Sequence, residues 1–315
     1  MRLLIFLAIL VTNVYAQTGM AKVNGLDIAF KSYGSKNTET ILLISGTNGQ
    51  LTMWPPVFCE KLVAKGYRVI VFDNRDIGLS TKFDHMGLPD WYAITKAIEN
   101  NERPMLAYSL DDMSKDATAL LDYLRIPRAH IVGVSMGGMI AQRAAYYGNA
   151  HVLSLTSIMA GGGQASYALI AKPELLARVP AAGAPNDTAA YLQREIISMK
   201  VLAGDKYPPD TKKITAYIRA NIKRSYHPNG LVRQGAASLA GYYAGRTAEL
   251  KTIKVPTLVI HGTNDPIVPV EAGRDVAATV PGARFELIDG LGHDLPEKLY
   301  DRIVELIVEN AKRVQ

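Results

Sequence analysis

The sequence predicts an α/β domain in which helices flank a mostly parallel central sheet, with a helical cap inserted after the sixth strand. Short apolar runs alternate with amphipathic helical segments along most of the chain. A Gly-x-Ser-x-Gly motif lies between one such run and the helix that follows it. Between residues 161 and 248 only helical patterns are found. The 315-residue chain is long enough for one large domain with such an insertion.

The strands are predicted from apolar runs bounded by turn-forming residues. They are residues 27–33, 41–45, 68–73, 130–134, 152–159, 257–261 and 284–288. Helices are predicted where apolar residues recur at helical spacing, with Ser109 as the N-cap of the second. They are residues 56–65, 110–124, 136–147, 270–279 and 295–312. Strands that alternate with helices in this way form a parallel sheet covered on both faces.

The cap differs from the core in its pattern. The alternation of strands and helices is confined to the core, residues 22–160 and 249–315. The cap, residues 161–248, begins with three glycines and then has the pattern of successive helices. The first two of these have Asp as N-cap. The predicted cap helices are 187–202, 210–225 and 231–243. We expect this insertion to cover the active site.

Residues 1–16 have the pattern of a signal peptide. Arg2 is followed by the apolar run 3–11, and Val14 and Ala16 supply small residues at the −3 and −1 cleavage positions. The apolar run is too short to span a bilayer as a mature helix. The pattern predicts export to the periplasm or the medium with cleavage near Ala16, and an uncleaved membrane anchor is the alternative.

The Gly133-Val134-Ser135-Met136-Gly137 segment is the strongest functional signal. A serine between a strand and a helix lies on a sharp bend that exposes its hydroxyl, and side chains at either glycine would collide with neighbouring backbone. A serine hydroxyl is a weak nucleophile until a base takes its proton. The motif therefore predicts Ser135 as a nucleophile with a histidine and an acid elsewhere, and the alternative is an inert turn.

Two loops supply the partners of Ser135. His293 lies in a glycine-lined loop after the last strand, and Asp265 follows the penultimate strand. The chain order Ser, Asp, His is the one expected for this elbow. Asp265 could instead form a turn before Pro266, but residues 160–166 contain no carboxylate to replace it as the acid. The remaining histidines are expected to be packed or surface residues; they are His85, His130, His151, His227 and His261.

The oxyanion hole needs two backbone N–H groups. One is expected from Met136, directly after the nucleophile, and the other from Thr47 in the loop of residues 45–50, which we call the oxyanion loop. The Asp-Asn-Arg-Asp run at 73–76 is expected to form an ion-paired loop that supports the site, and a substrate contact is the alternative.

These motifs resemble those of α/β-hydrolases, in particular the branch that contains the anthracycline (aclacinomycin/rhodomycin) methylesterases. The resemblance rests on residues 51–55, 72–80 and 133–142, covers most of 25–308 and is weakest in the cap. It implies ester hydrolysis through an acyl-serine. Ser45-Gly46 stands where the family commonly has His-Gly, a change that preserves the backbone donor.

On this resemblance, Ser135, Asp265 and His293 match the catalytic triad, and Thr47 and Met136 fall at the oxyanion positions. A carbon–carbon bond hydrolase or a cofactor-free perhydrolase on the same fold is the alternative among enzymes. A hydrolase-fold binding protein without turnover is the alternative from another class. An aspartate-nucleophile enzyme is excluded by Ser135 itself.

The sequence indicates no cofactor. It has no Cys/His cluster with metal-ligand spacing and no phosphate-binding glycine loop. Its only cysteine, Cys59, excludes an intramolecular disulfide. We expect a small-molecule ester as substrate and no nucleic acid as partner, and the oligomeric state is left open.

Positive charge is concentrated in the cap. Residues 161–248 hold 12 Lys/Arg and 5 Asp/Glu, whereas the whole chain has a net charge of +6. Such asymmetry could steer anionic ligands or favour contact with an anionic surface. The alternative is that these cations are the solvated faces of amphipathic helices.

Overall fold

A computed structural model describes residues 16–147, 150–164, 172–180, 184 and 186–314. Apart from Ala16, the expected signal peptide lies outside these residues. In this part of the chain, no helix combines the length and apolar character needed to cross a membrane.

Within the described residues, the strands form one eight-stranded sheet. They are β1 (Gln17–Val23), β2 (Leu26–Tyr33), β3 (Glu39–Ile44), β4 (Tyr67–Phe72), β5 (Ala129–Val134), β6 (Val152–Ile158), β7 (Thr257–Gly262) and β8 (Arg284–Ile288). Their order in the sheet is β1-β2-β4-β3-β5-β6-β7-β8. β2 pairs antiparallel with both β1 and β4, and the other neighbours are parallel. The predicted mostly parallel sheet is confirmed.

The edge strand β1 was not predicted. It is short, and only Ala21 and Val23 near its end are buried apolar residues, so its apolar alternation is weak. Asn24 and Gly25, both with positive φ, join it to β2 in a tight hairpin, and Asn-Gly is the strongest short hairpin signal in a sequence. With β1 included, β6 is the sixth strand, and the helices of the cap follow it as predicted.

The helices of the described residues cover both faces of the sheet and form the cap. They are α1 (Pro56–Ala64), α2 (Trp91–Glu99), α3 (Leu110–Tyr123), α4 (Met136–Tyr147), α5 (Pro173–Leu176), α6 (Thr188–Ala203), α7 (Thr211–Arg224), α8 (Pro228–Tyr243), α9 (Thr247–Leu250), α10 (Val270–Thr279) and α11 (Tyr300–Ala311). Short 3₁₀ helices lie at Leu51–Met53, Asp84–Met86 and Glu297–Leu299.

Most predicted helices agree with these bounds to within one or two residues. α2 was not predicted. α8 begins at Pro228 rather than at 231, because proline is favoured in the first turn of a helix. α11 begins at Tyr300 rather than at 295, because a 3₁₀ turn follows Pro296.

Successive residues of the central strands point into two separate cores. Leu42 and Ile44 of β3 pack into the core beneath α3, α4 and α10, whereas Ile41 and Leu43 pack into the core beneath α1 and α11. This alternation follows from the two-residue period of a strand. The carboxyl ends of β5, β7 and β8 meet at the edge of the sheet where the predicted site residues lie.

Helices α5 to α9 lie between β6 and β7, and two of the three long ones, α6 and α7, begin as the sequence indicates. The Asp187 side chain accepts hydrogen bonds from the N–H groups of Ala189 and Ala190 at the start of α6. Asp210 caps α7 in the same way. The predicted N-caps therefore fix where these cap helices begin.

Candidate active site

Ser135 lies on the bend between β5 and α4, with φ of 56°. A Cβ built at Gly133 would lie 2.0 Å from the carbonyl oxygen of Gly137, and one built at Gly137 would lie 2.2 Å from the carbonyl oxygen of Ile44. No side chain is tolerated at such distances. The glycines of the motif are therefore required by the packing of β5 against α4 and of α4 against β3.

His293 lies against Ser135 in the loop after β8. Its Nε2 atom is 2.8 Å from the Ser135 hydroxyl oxygen. The His293 backbone N–H donates to the carbonyl oxygen of Leu202 in α6 at 2.7 Å. Gly292 has α6 backbone so close that a Cβ would lie 2.1 Å from the Leu202 oxygen. The cap thus holds the histidine loop in place.

Asp265, after β7, lies on the far side of the histidine ring. Its Oδ2 atom is 2.8 Å from His293 Nδ1, and its Oδ1 atom accepts the N–H groups of Ile267 and Val268 at 2.8 and 2.9 Å. The carboxylate therefore both forms the turn before Pro266 and contacts the histidine. The two roles that the sequence suggested for this residue, turn former and partner of the histidine, are compatible because each role involves a different carboxylate oxygen.

The environment of Asp265 favours its ionised form. Burial by itself would raise the pKa of this carboxyl. The charge of His293 and the hydrogen bonds from His261 and His293 outweigh burial and hold the pKa well below its ordinary value. An ionised Asp265 accepts the Nδ1–H of His293 and leaves Nε2 facing Ser135 without a proton.

His261, expected to be structural, is buried behind Asp265. Its Nε2 atom is 3.0 Å from the carbonyl oxygen of Val268 and 3.5 Å from Asp265 Oδ2. His130 is a buried residue of β5 whose Nδ1 atom is 2.9 Å from the hydroxyl of Ser154 in β6. His227 contacts the carboxylate of Asp76 at 3.1 Å. No sequence pattern predicted the contact between His227 and Asp76.

The predicted oxyanion positions border the serine. Gly46 in the oxyanion loop lies against Ser135, since a Cβ at Gly46 would be 3.2 Å from the Ser135 Cβ. Among the described residues, the N–H of Thr47 has no hydrogen-bond partner. Met136 is the first residue of α4, where a helical N–H has no partner within the helix. Both groups are available to bind an oxygen.

The 73–76 loop is ion-paired, as the sequence suggests. Asp73 contacts Arg224 of α7 at 2.7 Å, Arg75 contacts Asp116 of α3 at 2.6 Å, and Asp76 contacts Arg233 of α8 at 2.6 Å. Burial by itself would raise the pKa of Asp76, but the hydrogen bonds that this carboxylate accepts, that from Arg233 foremost, outweigh burial and lower the pKa. Two of these carboxylates thus fasten the cap to the core.

Beneath the cap is a cavity of about 900 Å³ that reaches Ser135 and His293. Apolar and aromatic side chains from both layers line most of it, among them Met139, Met199, Leu202, Ile218, Leu231 and Tyr242. Its polar lining includes the ion pair of Arg194 with Glu195 and the carboxyl of Asp294. Burial raises the pKa of both of these carboxyls.

Several cap cations contact carboxylates of the core. Besides Arg224 and Arg233, Lys206 pairs with Asp289 and Lys213 pairs with Glu297. Part of the positive charge noted in the sequence therefore serves cap–core docking. Other cap cations are exposed and have no ion pair among the described residues; they are Arg178, Lys200, Lys212, Arg219 and Lys223.

Nothing in the described part of the chain suggests a resident metal ion, since it contains no group of three or more His, Cys, Asp or Glu side chains placed to hold one. The wall of the cavity includes Ser135, His293 and Thr47 with its free N–H, and the N–H of Met136 lies directly after Ser135 at the start of α4. Such a set can activate a hydroxyl and stabilise a negative oxygen.

Comparisons with known proteins agree with the fold described above. A family model described as alpha/beta hydrolase fold matches residues 39–298. A rhodomycin D methylesterase of Streptomyces sp. strain C5 is 26% identical over 89% of this chain and 93% of its own length. A 2-hydroxy-6-oxononadienedioate/2-hydroxy-6-oxononatrienedioate hydrolase of Cupriavidus pinatubonensis is 27% identical over 81% of this chain and 80% of its own. The crystal structure of an enol-lactonase from Burkholderia xenovorans superposes with a TM-score of 0.69 at 22% identity, covering 94% of this chain and 100% of that one.

Proposed function

Because this chain belongs to the α/β-hydrolase fold family, we propose that it is a serine carboxylic-ester hydrolase acting on small-to-medium hydrophobic esters. One observation carries the proposal. A continuous series of hydrogen bonds links Ser135 to His293 and His293 to Asp265, with 2.8 Å at each contact. Ser135 and His293 line the cavity. A protein that only bound its ligand would have no use for an acid and a base arranged in this way.

The arrangement supports a two-step reaction. His293 Nε2 takes the Ser135 proton as the oxygen attacks the ester carbonyl carbon, and the carbonyl oxygen becomes negative. The N–H groups of Thr47 and Met136 stabilise that oxygen. The intermediate collapses, and His293 gives its proton to the departing alcohol. Water, activated by the same histidine, then cleaves the acyl-serine and releases the acid. Asp265 stabilises the imidazolium in both steps.

The cavity lining favours a hydrophobic acyl group or ring system. A space of about 900 Å³ is at the upper end of sites for small molecules. The tyrosines and methionines of the lining offer apolar contacts rather than the dense hydrogen bonds that a sugar requires. The relatives named as methylesterases support an ester substrate.

Carbon–carbon bond hydrolysis is the second candidate. It is favoured by the relative named as an oxononadienedioate hydrolase, which is about as similar in sequence as the methylesterase. A cofactor-free perhydrolase would use the same serine. A substrate panel separates these reactions.

The test is a panel of p-nitrophenyl and methyl esters of varied chain length, together with a vinylogous diketone and a peracid assay. We expect ester hydrolysis to give the highest kcat/KM and to persist in the presence of a chelator. Ser135→Ala should lower it by about 10⁴-fold or more. Turnover of the diketone alone, or complete loss with the chelator, would contradict an ester hydrolase of this kind.

We also propose export with cleavage after Ala16. β1 begins at Gln17 and pairs with β2 from that residue onward, so cleavage there would leave the strand whole. A start at Met20 would remove half of β1. The intact mass of the protein from its native host decides between the two, and a mature chain that begins at Met1 or Met20 would contradict this proposal.

A further inference from the structure

Asn48 in the oxyanion loop is held by two cap helices. Its backbone N–H donates to the side-chain oxygen of Gln234 in α8 at 3.0 Å. Its side-chain amide donates to the hydroxyl of Tyr191 in α6 at 2.9 Å. Asn48 directly follows Thr47 and has φ of 63°, a left-handed conformation that a non-glycine residue keeps only where its surroundings fix it.

Gln50 connects the same loop to the third long cap helix, α7. Its Nε2 donates to the carbonyl oxygens of Asn221 and Ser225 at 3.0 and 2.9 Å. Its Oε1 accepts from Arg224 at 2.6 Å. Both carbonyls lie at the C-terminus of α7, where that of Asn221 also accepts the N–H of Ser225. The oxyanion loop is therefore fastened to α6, α7 and α8.

Gln234 makes the most specific of these contacts. It is completely buried, and its Nε2 donates to the carbonyl oxygen of Arg75 at 3.0 Å. One amide thus bridges the oxyanion loop and the 73–76 loop. Gln234 belongs to the cap, whereas both groups that its amide binds are backbone groups of the core. The amide therefore reaches them only when the cap is docked on the core.

We infer that Gln234 is a positioning residue for the oxyanion hole, and that the docked cap therefore completes the hole. This inference rests on the proposed function, since it concerns the N–H of Thr47 as a donor to the reacting oxygen. Gln234 fixes the peptide between Thr47 and Asn48, and that peptide sets the direction of the neighbouring Thr47 N–H. It also keeps the Asn48 N–H occupied, so that of these two neighbouring N–H groups only that of Thr47 is free to bind the reacting oxygen.

Removing the acceptor leaves the part-buried N–H of Asn48 without its partner, which is costly in free energy. The loop would relieve that cost by turning the Thr47–Asn48 peptide toward another acceptor or water. Thr47 would turn with it and lose its alignment with the oxygen formed at Ser135. The loss should appear in the transition state rather than in substrate binding, because an oxyanion donor acts on charge that develops during the reaction.

The experiment compares wild-type protein with Gln234→Met, Gln234→Glu and the control Gln142→Met. Met keeps the side-chain volume without a good acceptor, whereas Glu keeps the acceptor oxygen. Gln142 is equally buried and makes side-chain bonds to Ser157 and Arg246, far from the oxyanion loop. The readouts are kcat and KM for an ester, the affinities of an aryl trifluoromethyl ketone and of its corresponding alcohol, and amide hydrogen exchange of residues 46–50.

In Gln234→Met we expect kcat and ketone affinity to fall together by about 10²-fold, with KM and alcohol affinity within about threefold of wild type. Exchange of residues 46–50 should accelerate. In Gln234→Glu, complete burial favours the protonated carboxyl, which can accept from Asn48 and donate to Arg75, so this variant should recover most of both losses. Gln142→Met should leave the ratio of ketone to alcohol affinity unchanged.

Unchanged exchange in Gln234→Met, or a wild-type ratio of ketone to alcohol affinity, would overturn the inference. A wild-type protein that hydrolyses no ester and binds the ketone no better than the alcohol would instead refute the proposed function. The exchange comparison would then still decide whether Gln234 holds the loop.

Discussion

The α-carbon of Gly137 packs against the carbonyl oxygen of Ile44, and a Cβ at this glycine would lie 2.2 Å from that oxygen. The contact joins the first turn of α4 to the end of β3. It brings the serine on the bend before α4 next to the oxyanion loop that follows β3. The same glycine thus sets both the packing of the sheet and the geometry of the site.

Gly137→Ala should therefore destabilise the protein by about 3 kcal/mol or more, because backbone must shift to admit the methyl group. Gly235→Ala in α8 is the matched control, since its nearest neighbour, Trp91, would lie 3.7 Å from the added Cβ, and alanine favours a helix. Denaturant unfolding measures both. Equal stabilities of Gly137→Ala and wild type would contradict the close packing.

Asp265→Asn should lower kcat by about 10³–10⁴-fold with little loss of stability. Asparagine can still accept the N–H groups of Ile267 and Val268, but its amide would face His293 with a donor and favour the wrong tautomer. Asp275→Asn on α10 is the control and should keep wild-type activity. A kcat within tenfold of wild type in Asp265→Asn would remove this aspartate from the proposed mechanism.

His130 should make the fold sensitive to acid. Burial lowers its pKa to about 4 from an ordinary value of 6.5. Since the folded value lies below the unfolded one, the unfolded state binds more protons between these pH values, and stability is full above about pH 6.5 and falls as pH drops toward 4. The loss attributable to this residue is about 3 kcal/mol.

Urea unfolding of wild type and His130→Asn between pH 4 and 7.5 measures this loss. Asparagine does not titrate, so the difference in unfolding free energy between the two proteins should change with pH across that range. A constant difference would show that His130 is not the group responsible.

The exposed cations Lys212, Arg219 and Lys223 on α7 should give the cap a modest attraction for anionic substrates. Added salt should lower kcat/KM for an anionic aryl ester more than for its neutral counterpart. Replacing the three residues by glutamine should remove the difference. If salt affects both esters equally in wild-type protein, these cations are only the solvated face of a helix.

The sequence was sufficient to predict those features of the structure that a local pattern determines. The elbow glycines, the N-caps Asp187 and Asp210 and the parallel strands each follow from neighbouring residues. The order of Ser135, Asp265 and His293 along the chain also placed these residues in loops that the structure brings together. β1 was missed although Asn24-Gly25 signals its hairpin.

The cap contacts could not be predicted in the same way. Gln234 and Tyr191 lie on helices distant in sequence from Asn48, and neither belongs to a recognisable motif. Their partners are backbone or amide groups, which any sequence offers. The contact partner of Arg224 could not be predicted either, because a cation on an amphipathic helix gives the same sequence pattern whether it faces water or a buried carboxylate.

The most direct test of the central claim is active-site labelling followed by peptide mapping. A fluorophosphonate should modify one residue, Ser135, in proportion to the loss of ester hydrolysis. Ser135→Ala should take up no label and show no ester turnover above background, and heat-denatured wild type should also remain unlabelled. A label on any other residue, or ester hydrolysis by Ser135→Ala at the wild-type rate, would contradict the assignment of Ser135 as the nucleophile.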